Sequence, residues 1–339
     1  MAHLEARKHI SPDSGFPITL HPHFNDKIKN HIPPEPLREP FTPPLDRAFF
    51  ADPEKQALFS VAKRVDLTES LGTVLENVQL SHLNETQLDE LALLVNERGV
   101  VFFRDQDLTT EKQVELFQHY DRHPAQKDQK FVNIQGSRED HREILSYTPW
   151  ASGDFHADTS FEINQWKNTL MSEEIQLGSH NMVFMTPLAM HTKDFSMLDD
   201  TILDLWGAGP NRPPIDTHHP AVRTHPVTKL KALNVNPGFV TGFAELKKAE
   251  SDKVLDFLAY HIHSADDHYV RWKWAVGSVA MWDNRCTLHR VIPGTYKGLR
   301  RGIRTTVFGE QPYFDPDSES RVARKLREEN DSGNGSNLE

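Results

Sequence analysis

Short apolar runs far apart in the sequence constrain this chain most. Val100-Val101-Phe102-Phe103, Val279-Ala280-Met281-Trp282 and Arg304-Thr305-Thr306-Val307-Phe308 are too short for helices and rich in β-branched and aromatic residues. They read as buried strands. Residues 270–274 alternate as a half-buried strand. Residues 222–227 and 231–235 read as two strands joined by a turn, and Asn236-Pro237-Gly238-Phe239 breaks the second. Further strands are expected near residues 74–80, 131–134, 166–171 and 182–185. Helical patterns are few. Asn84 caps one over 85–97, with Leu88, Leu91, Leu94 and Val95 inward and Gly99 after its end. A capping box from Thr110 to Gln113 opens a second, facing Val114, Phe117 and Tyr120 inward. Ser251 caps a third, with Val254, Leu255, Phe257 and Leu258 inward, and 199–206 reads as a fourth. Residues 210–220 read as loop; a strand there would send its adjacent His218 and His219 to opposite sides. The sum is a mainly β chain with helical additions.

The ends differ from this core. Residues 1–68 hold Pro33-Pro34, Pro36, Pro40 and Pro43-Pro44 and are expected to form a proline-rich arm, its aromatics Phe24, Phe41, Phe49 and Phe50 lying partly on the main body. Residues 69–316 are the expected catalytic-size domain, and 317–339 a charged tail expected to fray. The net charge of −11 disfavours a nucleic-acid partner. It also means an anionic substrate would need a local cluster of Arg or His. Cys286 is the one cysteine, so no intramolecular disulfide or thiolate-rich metal site is possible within the chain. With no apolar leader or membrane-length run, a cytoplasmic location without membrane attachment is the expectation. The sequence leaves a homo-oligomer open.

The chemistry begins at Phe155-His156-Ala157-Asp158-Thr159-Ser160-Phe161. On a strand, residues two apart share a face, so His156 and Asp158 would aim at one point. A jelly-roll barrel pairs early strands with late ones and would bring His289 to them. Two histidines and one carboxylate, with positions open opposite, suit a non-haem Fe(II) oxygenase. Arg300 and Arg304 lie eleven and fifteen residues beyond His289 and would share a strand face. Arg offers a planar fork for carboxylates.

Residues 100–106 (VVFFRDQ), 147–162 (YTPWASGDFHADTSFE), 219–227 (HPAVRTHPV), 270–274 (VRWKW), 282–289 (WDNRCTLH) and 304–316 (RTTVFGEQPYFDP) together resemble the taurine dioxygenase family of Fe(II)/2-oxoglutarate-dependent oxygenases, in particular its fungal sulfonate dioxygenase branch. The resemblance implies a double-stranded β-helix (jelly roll, cupin-like). It implies His156, Asp158 and His289 as catalytic metal ligands for Fe(II), and Arg300 for the distal carboxylate of the cosubstrate 2-oxoglutarate. It implies Arg304 and His123 as hosts of a sulfonate, with Phe239 lining the pocket. The implied reaction consumes O2 and a small anionic substrate. It hydroxylates the carbon next to sulfur and releases sulfite and an aldehyde with succinate and CO2.

The sequence departs from the family where a Gly-Gly-Asp-Thr-like stretch is usual. Gly178-Ser179-His180-Asn181 stands there, with Asn181 offered as the 2-oxoglutarate contact. Other readings of the same residues stay open: the same oxygenase class acting on a carboxylate or sulfate ester, a metal-binding homologue with impaired turnover, and a hydrolytic zinc site. The last leaves the paired arginines without a role.

Overall fold

The computed structural model describes residues 39–120, 132–136, 155–157, 160, 163–171, 176–179, 189–193, 216–237, 239–275, 277–290 and 300–335. Among these, the framework is a seven-stranded sheet. Its strands are β1 (Lys63–Asp66), β2 (Thr73–Glu76), β3 (Val100–Phe103), β4 (Val132–Gly136), β5 (Trp166–Met171), β13 (Val279–Asp283) and β15 (Arg300–Phe308), in the order β1-β2-β3-β13-β5-β15-β4. Among the described residues of this sheet, only β2 and β3 pair in parallel. Two three-stranded sheets join distant segments. One orders β11 (Val240–Phe243), β7 (Ala189–Lys193) and β8 (Asp216–Pro220). The other orders β12 (Tyr269–Arg271), β6 (Gln176–Ser179) and β14 (Thr287–Arg290). β9 (Val222–Thr224) and β10 (Lys231–Leu233) form a hairpin.

The continuous apolar runs have a simple cause: the central strands β3 and β13 are buried on both faces. Val101, Phe103 and Met281 point to one side, where they meet Leu91, Leu94 and Val95 of α1 (Glu85–Arg98). Val100, Phe102, Ala280 and Trp282 point to the other and meet Leu71, Val270 and Trp272. Phe102 stacks on Trp272 with centroids 4.3 Å apart. Burying each such side chain stabilises by about 1.5–3 kcal/mol, which holds β13 in the middle of the sheet.

α1 begins and ends as its sequence reads. Asn84 accepts from the Gln87 amide, Gln87 reciprocates, and Gly99 follows at φ 71°. A Cβ at Gly99 would come within 2.8 Å of Leu71 Cδ1, so the chain passes closely there. α2 (Thr110–Tyr120) is capped one residue earlier than expected: the Lys112 amide donates to Thr109 Oγ1 at 3.3 Å.

Four readings change. Residues 216–220 are strand, not loop; Thr217 and His219 are buried while His218 is exposed. Polar inward residues hid the alternation. In α3 (Lys248–His263) the cap is Lys247, and Ser251 lies inside the helix, its hydroxyl accepting from the Phe243 amide at 3.1 Å. Phe257 of α3 is exposed, whereas Leu258 and Ile262 carry the buried face. The charged tail is helical as α4 (Arg321–Gly335) and is tied to the body by Arg321 donating to the Ser70 carbonyl at 2.7 Å.

The segment read as an arm contributes to the core. Ala48 and Leu58 join the α1 cluster, and β1 edges the main sheet. Phe41 meets Phe308 edge-on, and Arg47 forks onto Asp89 at 2.7 and 2.6 Å. Among the described residues no helix is long and apolar enough to cross a membrane.

Candidate metal centre and its buried supports

β14 pairs with β6 on one side, with His289 opposite Leu177. His156 forms an isolated antiparallel bridge to His289. The two main chains exchange both hydrogen bonds: His156 N to His289 O at 2.9 Å, and His289 N to His156 O at 2.8 Å. Paired residues in such a bridge project to the same face. The imidazole centroids accordingly lie 4.4 Å apart, with ring planes at 49°. His289 is buried, packed 5.1 Å from the Trp282 ring. Two imidazoles this close can both reach one ion at the roughly 2.1 Å of a metal–imidazole bond.

The other expected site residues fall out as follows. Asp158, His123 and Asn181 lie outside the described residues. Arg300 and Arg304 occupy one continuous stretch of β15, opposite Gly136 and Val132 of β4, and Arg304 also pairs with Met171 of β5. The register shift in β15 lies at Val307 and Phe308, so no bulge separates the two arginines. Phe239 is half-buried on a turn, its amide donating to the Asn236 carbonyl at 2.9 Å.

The strand alternation sends Phe155 and Arg290 to the reverse face. There they line a cavity of about 280 Å3 with Ile262, His263, Asp266 and Tyr269, and Arg290 lies 4.7 Å over the Phe155 ring. That cavity therefore sits behind the imidazole pair.

The turn joining β13 to β14 rests on a buried charge network. Arg285 forks onto Asp283, with Nε 2.9 Å from Oδ1 and Nη2 2.6 Å from Oδ2. Its other contacts are Asp46 at 3.1 Å, Glu310 at 3.4 Å and the Asn96 side chain. Arg223 donates to Glu310 and, at 2.8 Å, to Gln165. Burial alone would raise the Asp283 carboxyl, but Arg285 and then His225 hold it well below the usual range. Burial would also lower Arg285, and the surrounding carboxylates, Asp283 foremost, raise it instead. The sequence signal was Asp-Asn-Arg directly after a fully apolar strand: charges at such a place must be paired inside the fold.

His225, Asp283 and Cys286 bring ligand-type atoms within 4.8 Å of one another. They do not suit a cation. His225 Nδ1 accepts from the Val227 and Thr228 amides at 3.3 and 3.1 Å, so the proton sits on Nε2 and is donated to Asp283 at 2.9 Å. Burial, and next Arg285, keep this imidazole neutral by lowering its pKa. Burial also pushes the Cys286 thiol up to about 12, which leaves it protonated.

Comparison with known proteins agrees with this architecture. Residues 63–171 and 208–306 match the family described as taurine catabolism dioxygenase TauD, TfdA family. A Schizosaccharomyces pombe protein, named provisionally as an alpha-ketoglutarate-dependent sulfonate dioxygenase, is 32% identical over 84% of this chain and 78% of its own. The Saccharomyces cerevisiae alpha-ketoglutarate-dependent sulfonate dioxygenase is 29% identical over 74% of this chain and 67% of its own. The crystal structure of a taurine dioxygenase from Burkholderia xenovorans superposes with a TM-score of 0.59 at 23% identity, covering 77% of this chain and 95% of that one. The family match spans more than half of the sequence and the first relative aligns over most of it, so the chain belongs to the TauD/TfdA family and is a 2-oxoglutarate-dependent dioxygenase.

Proposed function

We propose that this enzyme is an Fe(II)-dependent alkylsulfonate dioxygenase built on a jelly roll. The observation that carries the reading is the His156–His289 bridge, which presents two imidazoles side by side, with Asp158 two residues beyond His156 in the sequence. Asp158 supplies the carboxylate of the ligand set, and neutral imidazoles with one carboxylate suit Fe(II) with open positions. When bound, Fe(II) with 2-oxoglutarate would supply the oxidising chemistry: 2-oxoglutarate would lose CO2 and take up one oxygen atom of O2 to become succinate, and the other oxygen would become the new hydroxyl.

The remaining roles belong to side chains of this chain. Arg300 holds the distal carboxylate of 2-oxoglutarate, with Asn181 as a hydrogen-bond donor to the cosubstrate. Arg304 and a protonated His123 hold the sulfonate, a permanent anion that the net charge of −11 would otherwise repel. The unbroken register of β15 supports a shared task for the two arginines. Phe239 walls the substrate pocket and limits water. Hydroxylation next to sulfur gives a 1-hydroxysulfonate. Its hydroxyl proton leaves as the carbon–sulfur bond breaks, yielding an aldehyde and sulfite. The sulfonate names of the two fungal relatives support this substrate class.

The test is a sulfite and succinate assay with Fe(II), 2-oxoglutarate and O2 over alkylsulfonates, sulfate esters and aryloxy carboxylates. Sulfite matching succinate for at least one alkylsulfonate is the expected result. Succinate formed with a sulfate ester or carboxylate, and sulfite from no sulfonate, would refute the substrate class and leave the dioxygenase standing.

A further inference from the structure

The peptide between the two neighbouring ligand positions is held by a side chain from another part of the sequence. Asn236 follows β10 and is buried. Its Nδ2 donates to the Ala157 carbonyl at 2.8 Å and to Ser160 Oγ at 3.0 Å. Ala157 stands between His156 and Asp158, so this amide grips the ligand segment at its midpoint. The carbonyl of the same residue accepts from the Phe239 and Val240 amides at 2.9 and 3.0 Å, closing the turn that carries Phe239.

The far end of the segment is also pinned by amides. Gln165 Nε2 donates to the Ser160 carbonyl at 2.7 Å and is itself held through Arg223. Asn164 Nδ2 donates to the Phe41 and Gly309 carbonyls at 2.9 and 2.8 Å, and Asn164 Oδ1 accepts from the Phe41 amide at 3.1 Å. Gln165 and Asn164 grip residues beyond the ligand positions. Asn236 alone among these three amides reaches the peptide between them.

We propose that Asn236 is a positioning residue for the metal centre: by fixing the Ala157 carbonyl it holds the main chain that leaves His156, and hence sets the metal affinity. The inference rests on the ligand assignment above. A freed segment would still carry both ligands but would have to be ordered on binding, and partners that orient ligands typically contribute about 10–100-fold in affinity. Because the main-chain carbonyl of Asn236 closes the Phe239 turn, the residue also ties the ligand segment to the proposed substrate wall.

Anaerobic Mn(II) titration of the full chain, followed by electron paramagnetic resonance and read beside thermal unfolding of the metal-free protein, tests this. Asn236→Ala is expected to weaken Mn(II) by about 10–100-fold. Gln106→Ala serves as the stability control. That buried amide donates to the Val78 and Arg104 carbonyls at 2.8 and 2.9 Å and accepts from the Leu80 amide, so its loss should lower the unfolding temperature and leave Mn(II) affinity unchanged. Asn236→Asp keeps the shape and removes the donor, and the same weakening is expected if the alanine variant does not fold. Wild-type affinity in Asn236→Ala or Asn236→Asp, or equal weakening in Gln106→Ala, overturns the proposal. His289→Ala separates the two readings. If it abolishes Mn(II) binding while the Asn236 variants bind normally, only the positioning role fails; if it binds as wild type, the ligand assignment fails with it.

Discussion

His156 and His289 exchange both of their main-chain hydrogen bonds, at 2.9 and 2.8 Å, although the two residues lie 133 positions apart in the sequence. Fixing the two proposed ligands by backbone pairing makes their separation a property of the fold and not of side-chain packing alone. The cost of rotamer ordering is then small, because His289 is buried against Trp282 before any ion arrives.

Either alanine substitution should therefore abolish metal-dependent turnover without unfolding the protein. His289→Ala and His156→Ala are each expected to lower 2-oxoglutarate consumption by more than about 100-fold, beyond what an orienting partner contributes. The backbone bridge survives, because alanine keeps both amide groups. A comparison of succinate formation with far-ultraviolet circular dichroism checks both halves. Turnover near wild type in either variant would remove that residue from the site.

Arg285 is the hub beneath that bridge. It faces Asp283, Asp46 and Glu310, so replacing it leaves buried carboxylates without their main counter-charge. Removing one partner of a buried ion pair costs about 3–5 kcal/mol. Arg285→Met should cost stability on that scale, measured as a lowered urea midpoint. The turn before β14 should loosen with it, seen as faster amide exchange at residues 285–289. A midpoint close to wild type would mean that the network is not what holds the turn.

Much of this could be read in the sequence, and the reasons for the misses are physical. Val100–Phe103 and β13 were legible because apolar residues on both faces leave little alternative to a central strand. The Asn84 cap was legible because its chemistry is local. β8 was not, because Thr217 and His219 hide a polar inward face. Phe257 was misplaced because a helical stripe tells which residues share a face, and the neighbouring elements decide how wide the buried face is. The His156–His289 meeting was anticipated from long-range strand pairing, whereas Asn236 and Arg285 were passed over. Their roles depend on what lies across the fold: the Ala157 carbonyl for one, and Asp46 and Glu310 for the other.

His225 gives the network a pH dependence of known sign. Burial, and then Arg285, lower its pKa below the usual 6.5, so the unfolded chain binds this proton more readily than the folded one. Stability thus rises with pH through this window. It is fully present above about pH 6.5 and is lost as the pH falls towards the folded-state value, at up to about 1.4 kcal/mol per pH unit for one proton. Asp283 and Glu310 act lower, since Arg285 and its neighbours hold both carboxyls down; their contribution is lost only below the ordinary carboxylate range. His225→Asn preserves a donor towards Asp283 and removes the titrating group. Between pH 7 and 5 its unfolding free energy should fall less steeply than wild type, by up to one proton's worth. Parallel slopes would assign the acid sensitivity to other groups.

Cys286 reports on the same turn. It is partly accessible, yet burial of its sulfur, with Asp283 next to it, pushes the thiol up to about 12. The thiolate is the reactive form, so native labelling by a disulfide reagent at neutral pH should be slower than in denaturant by at least about 10-fold. Whatever labelling remains must pass through opening of the turn, because the Cys286 and Thr287 groups are both tied to the Asp283 carbonyl. That turn leads directly into His289, so saturating Mn(II) should slow labelling further in wild type and have no effect in His289→Ala. As the chain has a single cysteine, the signal needs no assignment. Fast labelling of the native protein would show that the turn is open to solvent, and a Mn(II) effect that persists in His289→Ala would place the ion elsewhere.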